Sequence, residues 1–238
     1  MRRLIVLLTI LTIPLFLQAS VVGSGVVVGS GVTMVAPTIT YADYTDNFAS
    51  DSGYWTTRAG TWTIGSGVMT GSTIGGAKSQ VNYTRASATV SQYISAMSAC
   101  ANAEYPQLCF RRTGVTGEKY YKVAFHQGYS AVSWYWGTDD AGLGDEEIAN
   151  SNLSHIFEQN DYVGADVIGI GASTVVRVWW WDSTTPPGAY STWGTPDVTF
   201  TTDPGTGDNC DTGLYFGLAT YNEAATWSWD NFTAGDAR

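Results

Sequence analysis

Arg111, Tyr120, Lys122, His126, Tyr135, Arg177, Trp179 and Trp181 sit at alternate positions in a few short apolar runs, each opposite a hydrophobic set. In Tyr120–Phe125 the set Tyr121, Val123 and Phe125 predicts a buried side. Tyr120 and Lys122, then His126, fall on the other side. Val132, Trp134 and Trp136 leave Ser133 and Tyr135 outside, and Val176, Val178 and Trp180 leave Arg177, Trp179 and Trp181 outside. Arg111 follows Phe110 and is read as outward by the same rule. Rings interleaved with cations and hydroxyls suit polyhydroxylated ligands: sugar C–H faces stack on aromatic planes, and hydroxyls or carboxylates accept from Arg and Lys. The same side chains could instead cover a solvated sheet and pair with surface carboxylates. Trp193, with Tyr190 in GAYSTWGTP, joins the ligand-binding candidates; its loop can form the rim of a groove or fold back as a lid.

Bond-breaking chemistry is less well served. Glycoside hydrolysis needs two carboxyl groups about 5–10 Å apart. The six glutamates, Glu104, Glu118, Glu146, Glu147, Glu158 and Glu223, show no i, i+4 pair on one strand face. Glu146 and Glu147 are adjacent and would point apart if extended. A lyase would draw on Tyr120, His126 and Arg111, and His126 lies beside a glycine turn. No catalytic residue is assigned, and no G-x-S-x-G, H-E-x-x-H or phosphate loop occurs. No cofactor is assigned with certainty from the sequence. Structural calcium stays open, with Asp46 or Asp230 near the paired ends, or the acidic loops Gly137–Glu147 and Asp203–Asp211, as oxygen donors. Carboxylates in such turns otherwise cap backbone N–H groups.

The elements that must position these groups are strands. The tripeptide DNF occurs at Asp46-Asn47-Phe48 and again at Asp230-Asn231-Phe232. Between them run short alternating stretches broken by Gly, Asn, Asp and Ser, at the roughly 8–12-residue spacing of sandwiches and barrels. GSG at 65–67 predicts a hairpin turn, Leu108–Arg112, Tyr120–Phe125 and Ala131–Trp136 predict three consecutive strands, and Gly213–Tyr221 with Thr226–Ala234 predicts a last pair. A chain that opens and closes on similar strands is expected to set them side by side. In both tripeptides the expected role is a bulge, with Asp and Asn satisfying backbone donors while Phe48 and Phe232 plug the core. The fold class is all-β: a two-sheet antiparallel jelly-roll sandwich forming one domain.

CFRRTG…EKYYKVAF resembles the "FR … YY" strand pair of the concanavalin A-like lectin/glucanase superfamily. GTWTIGSGVMTG resembles its early hairpin, and GLYFGLATYNEAATWSWDNFTAGD its closing strands. The three occur in the right order over about residues 43–236. The resemblance implies a jelly roll with one concave sheet, and ligands, usually glycans, lying across that sheet. It also implies what is missing: the E-x-D-x-E motif of the best-known glucanases is absent. The superfamily hosts hydrolases, lyases and capsid or adhesion modules as well, so fold alone does not assign function.

The chain divides into 1–19, 20–40 and 41–238. Arg2 and Arg3, the apolar stretch Leu4–Leu17 and Leu17-Gln18-Ala19 before Ser20 read as a secretory signal, placing the protein outside the cell or in a periplasm. Residues 20–40 repeat VGSGV without charge, as a linker or as a strand that adds to a sheet edge and supports self-association. The formal net charge of −10, more negative once Arg2 and Arg3 are removed, disfavours nucleic acid and anionic membrane as partners. Three cysteines suggest a disulfide between Cys100 and Cys109 across ANAEYPQL, with Cys210 left over; a pairing through Cys210 is the alternative. The expected function is a secreted, non-catalytic carbohydrate-binding domain with a polysaccharide as partner. The alternatives are a lyase or hydrolase of the same fold, and a structural or adhesion protein of a cell surface or virus particle.

Overall fold

The computed structural model describes residues 27–28, 32–33, 39–72, 78–99, 105–113, 119–126, 128–137, 146–183, 185–205, 210–221 and 226–238. Val27–Val28 (β1) and Val32–Thr33 (β2) form an antiparallel ladder of their own, and the main compact unit spans Thr40–Arg238. Among the described residues no helix is long and apolar enough to cross a membrane.

The main unit is two stacked antiparallel sheets. The first has seven strands in the order Glu146–Asn152 (β12), Ala131–Gly137 (β11), Tyr120–Phe125 (β10), Tyr105–Arg112 (β9), Tyr215–Tyr221 (β16), Lys78–Tyr83 (β7) and Trp55–Ala59 (β4). The second runs Val198–Phe200 (β15), Val175–Trp181 (β14), Tyr162–Ile168 (β13), Gln92–Ser98 (β8), Thr226–Asp236 (β17), Val68–Ser72 (β6) and Thr61–Gly65 (β5), with Asp43–Asp46 (β3) paired to β17. This is the expected all-β jelly roll. Alternation dictates the core: Leu108, Phe110, Tyr121, Val123, Phe125, Trp134 and Leu218 from one sheet meet Ile94, Val163, Ala165, Val176, Val178 and Trp229 from the other, all buried. Each large side chain so removed from water contributes about 1.5–3 kcal/mol.

The two DNF tripeptides meet, with Phe232 opposite Asp46 in the β3–β17 ladder. The Asp46 carboxylate accepts from the Phe48 amide at 2.9 Å, and the Asn47 side chain accepts from the Ala49 amide at 3.2 Å. Phe48 and Asn231 take positive φ, 52° and 49°; β17 bulges at its tripeptide, where its register against β8 shifts between Asp230 and Thr233, whereas Phe48 lies just past the end of β3, and both phenyl rings enter the core. The β5–β6 turn also has positive φ at Ser66 and Gly67, matching a primed hairpin turn.

Two expectations are corrected. β16 and β17 are not a hairpin pair; they lie in opposite sheets. Cys109 forms no disulfide with Cys100: both Cys109 and Cys210 are buried thiols. The reason is topological. β8, which ends just before Cys100, belongs to one sheet and β9 to the other, and the Cys109 side chain turns outward from its sheet against Tyr120 and Ala219. Cys100 itself lies outside the described residues.

Candidate functional site

The outer face of the seven-stranded sheet is built by parity. Since Val81, Leu218, Leu108, Val123 and Trp134 point inward, Gln80, Ala219, Gln107, Ala124 and Ser133 point outward, and the register aligns them in one row across five strands. The adjacent outward row is Asn82, Gly217, Cys109, Lys122 and Tyr135. The centre of the face is therefore floored by small side chains, with amides and a lysine beside them. At Gly217 a Cβ would come within 2.7 Å of the Val81 carbonyl oxygen and 3.2 Å of the Arg112 side chain, so a larger residue would crowd the neighbouring strand and the arginine beside it.

Two hollows open on this face. One, of about 320 Å³, is walled by Tyr105, Tyr221, Tyr135 and His126 over Gln107 and Lys122. The other, of about 370 Å³, lies toward β4 between Arg58, Asn82, Thr113 and Tyr215. The Arg112 guanidinium lies 4.2 Å from the Tyr120 ring centroid, and the Lys122 ammonium sits 4.9 Å from that of Tyr135. The side-chain carbonyl oxygens of Gln80, Asn82 and Gln107 are buried without a hydrogen-bond partner. Such atoms cost about 1–3 kcal/mol each unless a water or a ligand donates to them, and these three lie on the outer face.

No family model matches the chain, and no curated protein matches it in sequence. Solved structures do. A carbohydrate-binding module of Bacillus subtilis superposes with a TM-score of 0.50 at 17% identity, covering 76% of this chain and 94% of its own. A β-glucanase of Bacillus licheniformis gives 0.50 at 12% identity, covering 82% and 98%. The legume lectin-like domain of Entamoeba histolytica gives 0.52 at 8%, covering 78% and 91%. The fold is an antiparallel jelly roll of the kind seen in these lectin-like, glucanase and carbohydrate-binding domains. At these identities the likeness establishes fold, and the chemistry must come from the face itself.

Within this jelly roll the residues singled out in the sequence divide into three places. Lys122, Tyr135 and Tyr120 are on the outer face of the seven-stranded sheet, Tyr120 fully covered beneath Arg112. Arg111 is not on that face. Its φ of 55° marks a bulge that turns it toward the second sheet, where it is fully buried. There it donates to the carbonyls of Val90 and Gly169 and pairs with Asp211. Burial outweighs these partners and lowers the Arg111 pKa. The bulge hands the outward position to Arg112, which sequence reasoning missed.

Arg177, Trp179, Trp181 and Trp193 belong to the outer surface of the other sheet. There Trp179, Trp193, Tyr93 and Tyr190 form a small separate core under the 183–197 loop, so Trp193 is part of a lid. Asp166, fully buried, accepts from Arg177 and from the Tyr190 hydroxyl at 2.6 Å, pinning that lid. Desolvation raises the Asp166 pKa, against the pull of Arg177 and Tyr190. Asp46 accepts from Ser52 and the Trp55 indole besides the Phe48 amide, and Asp230 accepts from the Asn231 amide. Among the described residues no group of three His, Cys, Asp or Glu side chains is placed to hold a metal ion. The acidic loops proposed for calcium lie largely outside the described residues.

Gln80, Asn82, Gln107 and Glu147 were also missed, and Ser133 was read as outward without being counted a candidate. Their signal was available: each flanks a core residue in an alternating run. Ser133 Oγ lies 3.4 Å from His126 Nε2. Hydrogen bonds from Asn150, then Ser133 and Tyr135, hold the Glu147 carboxyl below its usual value. Burial lowers the His126 pKa, with Glu147 acting weakly the other way. A depressed native pKa means that the unfolded chain binds the extra proton first. Stability should therefore be lost as pH falls through 6.5 toward the lower native value. Denaturation curves at about pH 7 and pH 5 should show this slope in the parent and less of it in His126→Gln. Equal slopes would contradict it.

Proposed function

We propose that this domain is a secreted carbohydrate-binding module that holds a polysaccharide along the outer face of the seven-stranded sheet without cutting it. The observation that carries the reading is the set of buried, unpartnered amide oxygens of Gln80, Asn82 and Gln107 between tyrosine-walled hollows. Sugar hydroxyls would donate to those oxygens, and the Tyr105 and Tyr221 rings would meet C–H faces. The lining of neither hollow includes a carboxylate among the described residues, and Glu147, which bonds Ser133 and Tyr135 beside one of them, is a single group where glycoside hydrolysis requires a pair. The basic and apolar residues at the start of the chain support secretion.

The test is a glycan array with the purified domain, followed by calorimetric titration of the best ligand. Gln107→Ala and Tyr221→Ala should each weaken binding about tenfold at unchanged thermal stability. An array without hits, or variants that bind like the parent, would overturn the reading.

One observation favours a second reading, cleavage by elimination: the neutral His126 at 3.4 Å from Ser133, beside Tyr135. His126 would take the proton next to a uronate carboxylate. The adjacent C–O bond would break as the double bond forms, and a tyrosine hydroxyl would protonate the leaving oxygen. Incubation of the array ligand with the domain would then yield ultraviolet-absorbing unsaturated ends, and their absence excludes this reading.

A further inference from the structure

The two DNF tripeptides converge on another hollow, of about 470 Å³ and so larger than either on the sheet. It lies where β3 meets β17. Thr45 and Thr233 are direct partners in that ladder and both line the hollow, as do Asn47 and Asn231. Its cation is Arg85, whose guanidinium is clamped 4.3 Å from the Tyr44 ring and 5.1 Å from the Tyr54 ring. The clamp fixes the fork of donors while leaving the side chain exposed, and Arg85 also hydrogen-bonds the Tyr83 hydroxyl in the lining. The one carboxylate in the lining, Asp46, already accepts from the Phe48 amide, the Ser52 hydroxyl and the Trp55 indole.

We infer that this hollow is a second saccharide site, taking a single sugar or chain end that bears a carboxylate. A planar guanidinium held by two rings matches a carboxylate with two parallel hydrogen bonds. The Tyr54 ring, 42% exposed at the mouth, offers a stacking plane for the sugar. The paired threonine hydroxyls and asparagine amides supply the mixture of donors and acceptors that ring hydroxyls need. The site shares the buried Tyr83 ring with the hollow toward β4 and no lining residue with the tyrosine-walled hollow around Gln107, so it stands or falls separately from the polysaccharide reading.

The experiment titrates the isotope-labelled full chain with free glucuronate and, for comparison, glucose, following amide resonances. Glucuronate should shift Thr45, Ser52 and Thr233 saturably, with glucose at least about tenfold weaker. Arg85→Gln should abolish the preference while its spectrum stays folded, and Gln107→Ala should leave the titration unchanged. Equal affinity for the two sugars, an Arg85→Gln variant that still prefers glucuronate, shifts confined to the Gln107 and Lys122 face, or no shifts at all would each overturn the inference.

Discussion

Asp236→Ala should destabilise the domain by about 3–5 kcal/mol, a large fraction of the 5–15 kcal/mol that holds a typical domain together. The carboxylate is fully buried and ties three separate parts of the chain. It accepts from the Ala42 amide at 2.6 Å at the start of the domain, and from the Ala88 and Thr89 amides at 3.2 and 2.7 Å in the β7–β8 connection. The Thr89 hydroxyl adds a fourth bond at 2.9 Å. Alanine would strip the acceptor from all of these donors, of which the Ala42 amide and both Thr89 groups are half-buried, and the strand is tight there: a Cβ on Gly235 would lie 2.2 Å from the Ala42 carbonyl. Urea denaturation gives the number. Asp236→Asn keeps one acceptor oxygen and should recover part of the loss, which guards against the alanine variant failing to fold. A loss below about 1 kcal/mol for alanine would show that the clasp contributes no more than an ordinary hydrogen bond.

The same clasp shows how much of the architecture could be read in advance. The repeated DNF tripeptide announced that the first and last strands lie together, and they do. Period-two alternation gave the correct inward side of β10, β11 and β14: Tyr121, Val123, Phe125, Val132, Trp134, Val176 and Val178 are all buried in the core. Alternation is silent, however, on which sheet a strand joins, because strands of both sheets bury one face and present the other. That is why Lys122 and Trp179, both properly read as pointing away from the core, lie on opposite sides of the molecule. Arg111 failed for a different reason. Phe110-Arg111-Arg112 contains no glycine or proline to mark a bulge, and the positive φ at Arg111 is held by tertiary contacts from Val90, Gly169 and Asp211. The amides of Gln80 and Gln107 became visible as a set only when the register aligned them through Ala219.

Trp179→Ala separates the two surfaces most sharply. The ring is 4% exposed and meets Trp193 edge-on at a centroid distance of 5.2 Å, with the Arg177 guanidinium 5.4 Å away. Its indole nitrogen donates to the Gly194 carbonyl at 3.2 Å, inside the loop it supports. Removing it opens a cavity beneath that loop and frees the stacked pair of Tyr93 and Tyr190, whose rings lie 4.5 Å apart. The expected cost is about 3–5 kcal/mol, the range for burying and then deleting a large aromatic side chain. Glycan binding should stay at the parental level under conditions where the variant is folded, because the amides and tyrosines of the proposed face belong to the other sheet. The two readouts must come apart: Trp179→Ala lowers the denaturation midpoint and spares binding, whereas Gln107→Ala spares the midpoint and weakens binding. If Trp179→Ala instead abolished binding at unchanged stability, the ligand would have to lie over the 183–197 loop, and the buried amide row would need another explanation.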